Sequence, residues 1–269
     1  MTLVEVHQGM SPLILAFPHT GTWVPDNIRQ DLNEEGLKLR DTDWHVHELY
    51  ADLLPGATTV RATFHRYVID ANRDPSGQSL YPGQNTTGLV PLTDFDNQPI
   101  WKDGEAPTDQ DIAERLASFH RPYHEALEKE IRRVRDLHGV AILYDCHSIR
   151  SVCPFLFEGR LPDFNIGTDG GRTCDAAIEG AVLDICRQAR GFTSVLNGRF
   201  RGGWTTRHYG RPEKGVHAIQ MELAQITHLA GETLPFDYDP ERSRGLREVL
   251  RQILQRLQEL APALAKGAG

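Results

Sequence analysis

Four short apolar runs are the feature that most constrains the fold of this chain. They span residues 12–17 (PLILAF), 58–69, 140–144 (VAILY) and 216–223. Runs of this length that are rich in branched or aromatic residues are typical of strands, and the first and third are apolar enough to be buried. We therefore predict four strands.

Helical patterns lie between and after these runs. Apolar residues recur at three- and four-residue steps over 112–134, and Thr108 and Asp111 before them are spaced like a capping box. A second helical face carries Leu246, Leu250, Ile253 and Leu257. Strands that alternate with helices predict an α/β fold with a parallel or mixed sheet. Because no repeat or linker interrupts the pattern, we predict one domain over residues 1–269.

The stretch 75–107 is dense in Pro, Gly, Asn and Asp. This composition predicts a long loop. Loops of this length within a compact domain are often functional, for example as lids over a site.

Charge and cysteine content argue against several classes of protein. The chain has 29 Lys and Arg against 37 Asp and Glu, a net charge of −8. A protein that grips phosphate backbones needs a basic surface, so we expect no nucleic-acid partner. The N-terminus shows no signal peptide and no membrane span, so we expect a cytoplasmic protein without a membrane partner. The four cysteines form no CxxC pair, which predicts reduced and mostly buried thiols.

Two histidines follow predicted strands, and a third cluster offers a carboxylate. His19 follows the run 12–17, and His147 follows the run 140–144. Ligand sites in α/β sheets form at the carboxyl ends of strands, although a single histidine there is more often a packed residue. The segment 41–48 (DTDWHVHE) offers several oxygen and nitrogen ligands, but on its own it is also typical of a helix start. Together, two histidines and one carboxylate match the three-ligand sites of catalytic zinc.

Glu222 lies at the end of the predicted strand 216–223, on the face that it shares with Gln220. A glutamate in this position is costly to bury unless it is paired or functional. A salt bridge to one of the arginines is one explanation. In a zinc hydrolase, the same carboxylate would be the general base that activates water.

Arginines cluster in the segments 61–73 (RATFHRYVIDANR) and 197–210 (NGRFRGGWTTRHYG). Guanidinium groups hold carboxylates in a fixed planar geometry, so such clusters suit a substrate with two carboxylates. Most single arginines only interact with solvent, so we expect only some of these to bind a ligand.

Several longer segments occur together in one known family. The sequence resembles the N-formylglutamate deformylases (N-formylglutamate amidohydrolases) of histidine breakdown. The resemblance extends from about Pro12 to about Gln225. It is carried by FPHTGTWVP, DTDWHVHELY, RYVIDANRDPSGQSLYPGQNTTGL, RPYHEAL, LYDCHSIRSVCPFLFEGRLPDFNIGTDGG, VLNGRFRGGWTTRHYG and VHAIQMELAQ.

The resemblance implies a zinc-exopeptidase-like (phosphorylase/hydrolase-like) three-layer α/β fold with a central mixed sheet. It also implies one metal ion per chain, zinc or another divalent transition metal. Its ligands would be His19, Asp43 and His147, with Asp41 as an alternative to Asp43. Glu222 matches the general base of the family.

For the substrate, the resemblance implies a carboxylate-binding pair. Asn72 and Arg73 look like the Asn-Arg pair of zinc carboxypeptidases, and Arg150 and Arg207 are further candidates for a second carboxylate. The implied reaction is hydrolysis of N-formyl-L-glutamate, a small-molecule dicarboxylate, to formate and L-glutamate. The alternative is a related metallo-deacylase or carboxypeptidase that acts on another N-acyl amino acid or peptide.

Two more distant alternatives remain. A serine hydrolase is disfavoured because the chain has no GxSxG elbow, and His147 and Ser148 would diverge on a strand. A binding protein without catalysis would keep the fold but bind ligand tightly without turnover. The oligomeric state does not follow from the sequence.

Overall fold

The computed structural model describes residues 2–79 and 83–266. Seven strands form one sheet, in the order β1-β3-β2-β4-β7-β5-β6. The strands are β1 Val4–His7, β2 Leu13–Phe17, β3 Thr58–Ala62, β4 Ala141–Ile149, β5 Phe164–Gly167, β6 Ser194–Leu196 and β7 Val216–Ala224. The central strands β3, β2, β4 and β7 are parallel, whereas β1 pairs antiparallel with β3 and β5 pairs antiparallel with β7. The predicted mixed sheet is confirmed.

Seven α-helices surround the sheet in the described part of the chain. They are α1 Asp26–Arg29, α2 Val46–Leu49, α3 Asp109–Arg115, α4 Arg121–His138, α5 Ala176–Gln188, α6 Trp204–Tyr209 and α7 Pro240–Lys266. Short 3₁₀ turns lie at Gly36–Lys38, Pro212–Lys214 and Gln225–Thr227, and a π-helical turn at Leu116–His120 joins α3 to α4.

Two apolar cores lie on opposite faces of the sheet. Side chains alternate along β2, so Leu13, Leu15 and Phe17 pack with α5 and α7, whereas Ile14 and Ala16 pack with α4 on the other face. Because both faces are covered, every residue of β2, β4 and β7 is buried. The predicted three-layer α/β fold is therefore confirmed.

Two strand predictions need correction. β4 extends to Ile149 rather than ending near Tyr144, because its parallel pairing with β7 continues as far as the Ile149–Ala224 pair. His147 therefore lies inside a strand, near its carboxyl end. β3 ends at Ala62, and the remainder of 58–69 forms a turn in which the Val68 N–H donates to the His65 carbonyl at 2.9 Å.

The helix predictions are confirmed with one difference. Thr108 and Asp111 form the predicted capping box, since the Thr108 N–H donates to Asp111 Oδ2 at 2.8 Å and the Asp111 N–H donates back to Thr108 Oγ1. The single helix predicted over 112–134 is instead two helices joined by the π-helical turn.

The long loop and the thiols agree with the sequence analysis. The described residues of 75–107 contain no helix or multi-residue strand, and residues 80–82 lie outside the described part. All four cysteines are free and buried. Among the described helices, none has both the length and the apolarity that a membrane crossing requires. One domain over 1–269 stays a prediction.

Candidate active site

Three buried side chains of metal-binding type converge at the carboxyl ends of the central strands. The ligand atoms of His19, Asp43 and His147 all lie within 4.8 Å of one another. His147 Nδ1 lies 3.2 Å from His19 Nδ1 and 3.0 Å from Asp43 Oδ2, and the distance from His19 Nδ1 to Asp43 Oδ2 is 3.8 Å. Two imidazoles and one carboxylate are ligands that zinc and related divalent transition metals bind.

The parallel sheet explains why these residues meet. His19 follows β2, and His147 lies on the adjacent strand β4, which is paired in parallel with β2. Asp43 reaches the same edge from the segment before α2, where its N–H donates to the His19 carbonyl at 3.0 Å. The Ser148 N–H donates to Asp43 Oδ2 at 3.2 Å. The backbone of Asp43 is thus bound to the segment that follows β2, and its carboxylate is bound to the backbone of β4.

Each histidine has a second carboxylate behind it. His19 Nε2 lies 2.6 Å from Asp70 Oδ1, and His147 Nε2 lies 3.0 Å from Asp145 Oδ1. Asp145 Oδ1 is buried and has no aligned hydrogen bond within the described residues. A proton on each Nε2 would satisfy these oxygens and leave each Nδ1 with a free lone pair, as a metal ligand needs. The residues present therefore fit a divalent cation.

Burial lowers the pKa of both histidines, and nearby charges change that effect differently at each one. Burial lowers the pKa of His19, and Arg66 lowers it further against the opposite effect of Asp70. Burial also lowers the pKa of His147, but Asp145 and Asp43 outweigh it and raise that pKa well above its ordinary value. A cation would therefore have to displace a proton from His147.

Glu222 lies beside this group on β7. It is the register partner of His147, and Gln220 Nε2 donates to Glu222 Oε2 at 3.1 Å. Burial raises the pKa of Glu222 to about 8, although the positive charge of a protonated His147 opposes that shift. A carboxyl group with such a pKa can accept and return a proton near neutral pH.

Arg66 and Asp70 are two residues that the sequence analysis did not assign to the site. Arg66 Nη2 donates to Asp70 Oδ2 at 2.5 Å, and Arg66 Nη1 lies 3.9 Å from Asp43 Oδ1. Burial raises the pKa of Asp70, but Arg66 and His19 outweigh it and hold that pKa well below its usual value. The buried guanidinium thus neutralises carboxylates that support the metal group.

Asp41 has a different place from Asp43. Its carboxylate accepts the Phe95 N–H at 3.0 and 3.2 Å, and it is not part of the three-residue group. Burial raises the pKa of Asp41 to about 7. Phe95 in turn packs its ring against Arg66, with the guanidinium carbon 4.8 Å from the ring centroid. Asp41 therefore holds the backbone of a cavity residue.

A cavity that is open to solvent lies over the group. The lining residues are His19, Asp43, Arg66, Asn72, Arg73, Thr86, Thr87, Phe95, His147, Ser148, Ile149, Leu156, Arg199, Phe200, Gly203, Gln220 and Glu222. Polar and charged groups lie at the sheet edge, and apolar side chains from the loops form one wall.

The predicted substrate-binding residues divide into two sets. Asn72 and Arg73 line the cavity, whereas Arg150 and Arg207 are not among its described lining residues. Arg150 Nη2 lies 3.0 Å from Asp96 Oδ2, and Arg207 Nη1 lies 3.3 Å from Asp169 Oδ1. Arg199 lines the cavity instead, although only its segment drew notice in the sequence.

Neighbouring polar groups fix Asn72 and Arg73. Asn72 Oδ1 accepts the Thr205 N–H at 2.8 Å, and Asn72 Nδ2 lies 3.0 Å from His147 Nε2. Arg73 donates from Nε to the Thr87 carbonyl at 3.0 Å and from Nη2 to Thr87 Oγ1 at 3.1 Å. The pair therefore connects the metal group to the loop side of the cavity.

Comparison with known proteins places these features in one family. The family model described as N-formylglutamate amidohydrolase matches residues 11–229. A protein of Pseudomonas putida named N-formylglutamate deformylase is 45% identical over 258 residues, which cover 95% of each chain. A protein of the same name from Pseudomonas aeruginosa is 44% identical, covering 95% of this chain and 96% of its own.

A solved structure shows the same fold. The crystal structure of N-formylglutamate amidohydrolase from Ralstonia eutropha JMP134 superposes with a TM-score of 0.80 at 24% identity, covering 98% of this chain and 99% of that chain. The family match spans the whole site, from His19 to Glu222. The chain therefore belongs to the N-formylglutamate amidohydrolase family.

Proposed function

We propose that this chain hydrolyses N-formyl-L-glutamate to formate and L-glutamate in a metal-dependent reaction. The observation that carries the proposal is the buried group of His19, Asp43 and His147, with Glu222 beside it and arginines on the walls of one cavity. The name of the two Pseudomonas relatives supports the substrate. We further propose that the enzyme acts in the cytoplasm in histidine breakdown.

His19, Asp43 and His147 would hold the metal ion, and zinc is the ion that we propose. Two imidazoles and one carboxylate leave a coordination position open for water or substrate. A bound divalent cation supplies a Lewis acid and lowers the pKa of water. Asp70 and Asp145 orient the two imidazoles from behind.

Glu222 is the proposed proton carrier. Its carboxylate accepts a proton from the water that attacks the formyl carbon, and it returns a proton to the departing amine nitrogen of glutamate. Burial raises its pKa in the metal-free protein, which favours the protonated form that returns the proton, whereas a bound cation would favour the carboxylate that accepts it. The C–N bond of the formamide breaks, the oxygen of the water stays on formate, and the returned proton stays on the amine of L-glutamate.

Arginines and Asn72 are proposed to hold the substrate. Arg73 and Asn72 would bind one carboxylate of glutamate, and Arg199 lies on the wall where a second carboxylate can approach. Arg66 lines the same cavity and would stabilise negative charge that develops on the formyl oxygen. Arg150 and Arg207 are less well placed, since each lies against an aspartate away from the lining residues.

A substrate panel tests the proposal. Purified protein is assayed for zinc content, and for formate or free amine release from N-formylglutamate, N-acetylglutamate, N-formylleucine and a peptide ending in glutamate. We expect formate release to be fastest from N-formylglutamate, to stop in chelator and to return with added zinc. Faster amine release from the acetyl compound or the peptide would favour a metallo-deacylase or carboxypeptidase. Stoichiometric binding without turnover would indicate a binding protein.

A further inference from the structure

Residues 71–73 have no regular secondary structure, yet their backbone is firmly bound. The Ala71 carbonyl accepts from His124 Nε2 at 2.8 Å, and the Arg73 carbonyl accepts from His120 Nε2 at 3.1 Å. Both histidines are buried. A buried carbonyl without a partner is costly, so these bonds decide where the segment can lie.

We propose that His120 and His124 are positioning residues that set the place of Asn72 and Arg73, and through them the binding of the substrate carboxylate. This inference rests on the proposed function. Neither histidine is among the described residues that line the cavity, so each acts through the segment 71–73 rather than on the substrate.

The Ala71 carbonyl fixes the tautomer of His124. A carbonyl oxygen can only accept, so Nε2 carries the proton, and Nδ1 lies 3.0 Å from the Tyr209 hydroxyl. Burial lowers the pKa of His124 well below its ordinary value, and the nearby His120 lowers it further. The ring is therefore neutral, with one defined tautomer.

The helical segment that carries the two histidines contains a π-helical turn. The π-helical turn Leu116–His120 ends at the first histidine, and α4 begins at the next residue. Such turns are rare and are often found at functional sites. His120 and His124 are four residues apart, with ring centroids separated by 4.4 Å, so they contact neighbouring parts of the same segment.

Helix α6 also binds the segment 71–73. At the start of α6, the Trp204 N–H donates to the Asn72 carbonyl at 3.4 Å, and the Thr205 N–H donates to Asn72 Oδ1. The Trp204 ring meets the His124 ring edge-on at 4.6 Å. The π-helical turn, α4 and α6 thus each bind one of three consecutive carbonyls, at Arg73, Ala71 and Asn72.

The test removes the donor but keeps the ring volume. In zinc-loaded protein, His124→Phe should raise KM for N-formylglutamate about tenfold or more and change kcat by less than about threefold, because ground state and transition state lose the same contact. His124→Gln keeps an N–H donor at a similar reach and should restore most of the affinity. The thermal shift induced by L-glutamate should fall in His124→Phe and recover in His124→Gln.

A double-mutant cycle shows whether His124 affects KM through Arg73. If it does, His124→Phe should add little to KM in an Arg73→Met background. Additive effects of the two substitutions on KM, or an unchanged KM in His124→Phe, would overturn the inference. If His124→Phe does not fold, the test is repeated with His120→Phe and His120→Gln. His208→Gln is the matched control, since its exposed ring stacks on Trp204 instead. Absence of formate release by the unmodified enzyme would instead refute the proposed function.

Discussion

His147 and Glu222 are register partners on the adjacent parallel strands β4 and β7. In this sheet, partners in register point to the same face, so one proposed metal ligand and the proposed proton carrier are set side by side by backbone pairing alone. Both strands are buried along their whole length. The relative position of the two groups therefore depends on the core rather than on a loop.

Glu222→Gln should keep the metal and lose turnover. The amide has the size of the carboxyl group but cannot accept the proton, so we expect kcat to fall by about 10²–10⁴-fold. Metal content measured by mass spectrometry should stay at one ion per chain. Near-normal turnover in this variant would remove Glu222 from the mechanism.

The same substitution should show a pH-dependent gain of stability in metal-free protein. The pKa of Glu222 is raised by burial from 4.5 to about 8, so the folded state holds a proton that the unfolded state releases. The native protein therefore loses stability relative to Glu222→Gln as pH rises from about 4.5 to about 8, by at most about 1.4 kcal/mol per pH unit. Above that range the difference should level off.

Denaturant unfolding at pH 5, 7 and 9, with chelator present, measures this difference. Added zinc should reduce the advantage of Glu222→Gln, because a nearby cation favours the charged carboxylate. Parallel stability profiles for the two proteins would contradict the assigned pKa shift.

Asp70→Asn should weaken metal binding without removing a ligand. Asp70 accepts from His19 Nε2 and orients that ring, and loss of such a partner lowers metal affinity by about 10–100-fold. Competition with a chromogenic chelator measures the affinity. Asp163→Asn is a suitable control, since Asp163 is a buried carboxylate that accepts from Thr193 and belongs neither to the metal group nor to the described lining of the cavity. Equal losses in both variants would mean a general loss of stability.

Asp43→Asn and Asp41→Asn should differ in metal content. Asp43 belongs to the three-residue group, so its substitution should leave the purified protein with little metal. Asp41 accepts the Phe95 N–H instead, so its substitution should preserve metal content and disturb the cavity wall. The opposite pattern of metal content would assign Asp41 as the ligand.

Arg73→Met should raise KM for N-formylglutamate by about 10–100-fold, because a charge-assisted contact to the substrate carboxylate is lost. Arg207→Met should have a smaller effect, since Arg207 already pairs with Asp169. Steady-state kinetics on the zinc-loaded protein distinguish the two. Arg132→Met, at an exposed position on α4, controls for loss of positive charge. An unchanged KM in Arg73→Met would exclude the proposed carboxylate contact.

The central part of the fold was predictable from the sequence, and its edges were not. Strands β2, β4 and β7 are buried on both faces, so β2 and the first half of β4 are continuous apolar runs and β7 is mostly apolar. Strands β1, β5 and β6 have three or four residues each, too few for a period to show. The end of β4 was missed because Asp145 and His147 are polar, although pairing with β7 keeps them in the strand.

The site shows the same division. His19, His147 and Glu222 could be noticed from their positions on predicted strands, and the resemblance selected Asp43. Arg66 lies in the arginine-rich segment 61–73, but its role and that of Asp70 depend on distances to His19 and Asp43 that arise only on folding. The choice of Arg199 over Arg150 and Arg207 for the cavity wall is likewise a tertiary effect.

The cavity is built from two kinds of structural element, strands of the sheet and connecting loops. His147 and Glu222 project from neighbouring strands of the sheet, whereas Phe95, Leu156, Arg199 and Phe200 on the wall belong to connecting segments. Loops tolerate sequence change far better than buried strands do. Redesign for a bulkier acyl group or a different amino acid can therefore be confined to those four positions, while the metal-binding residues and Glu222 are kept unchanged.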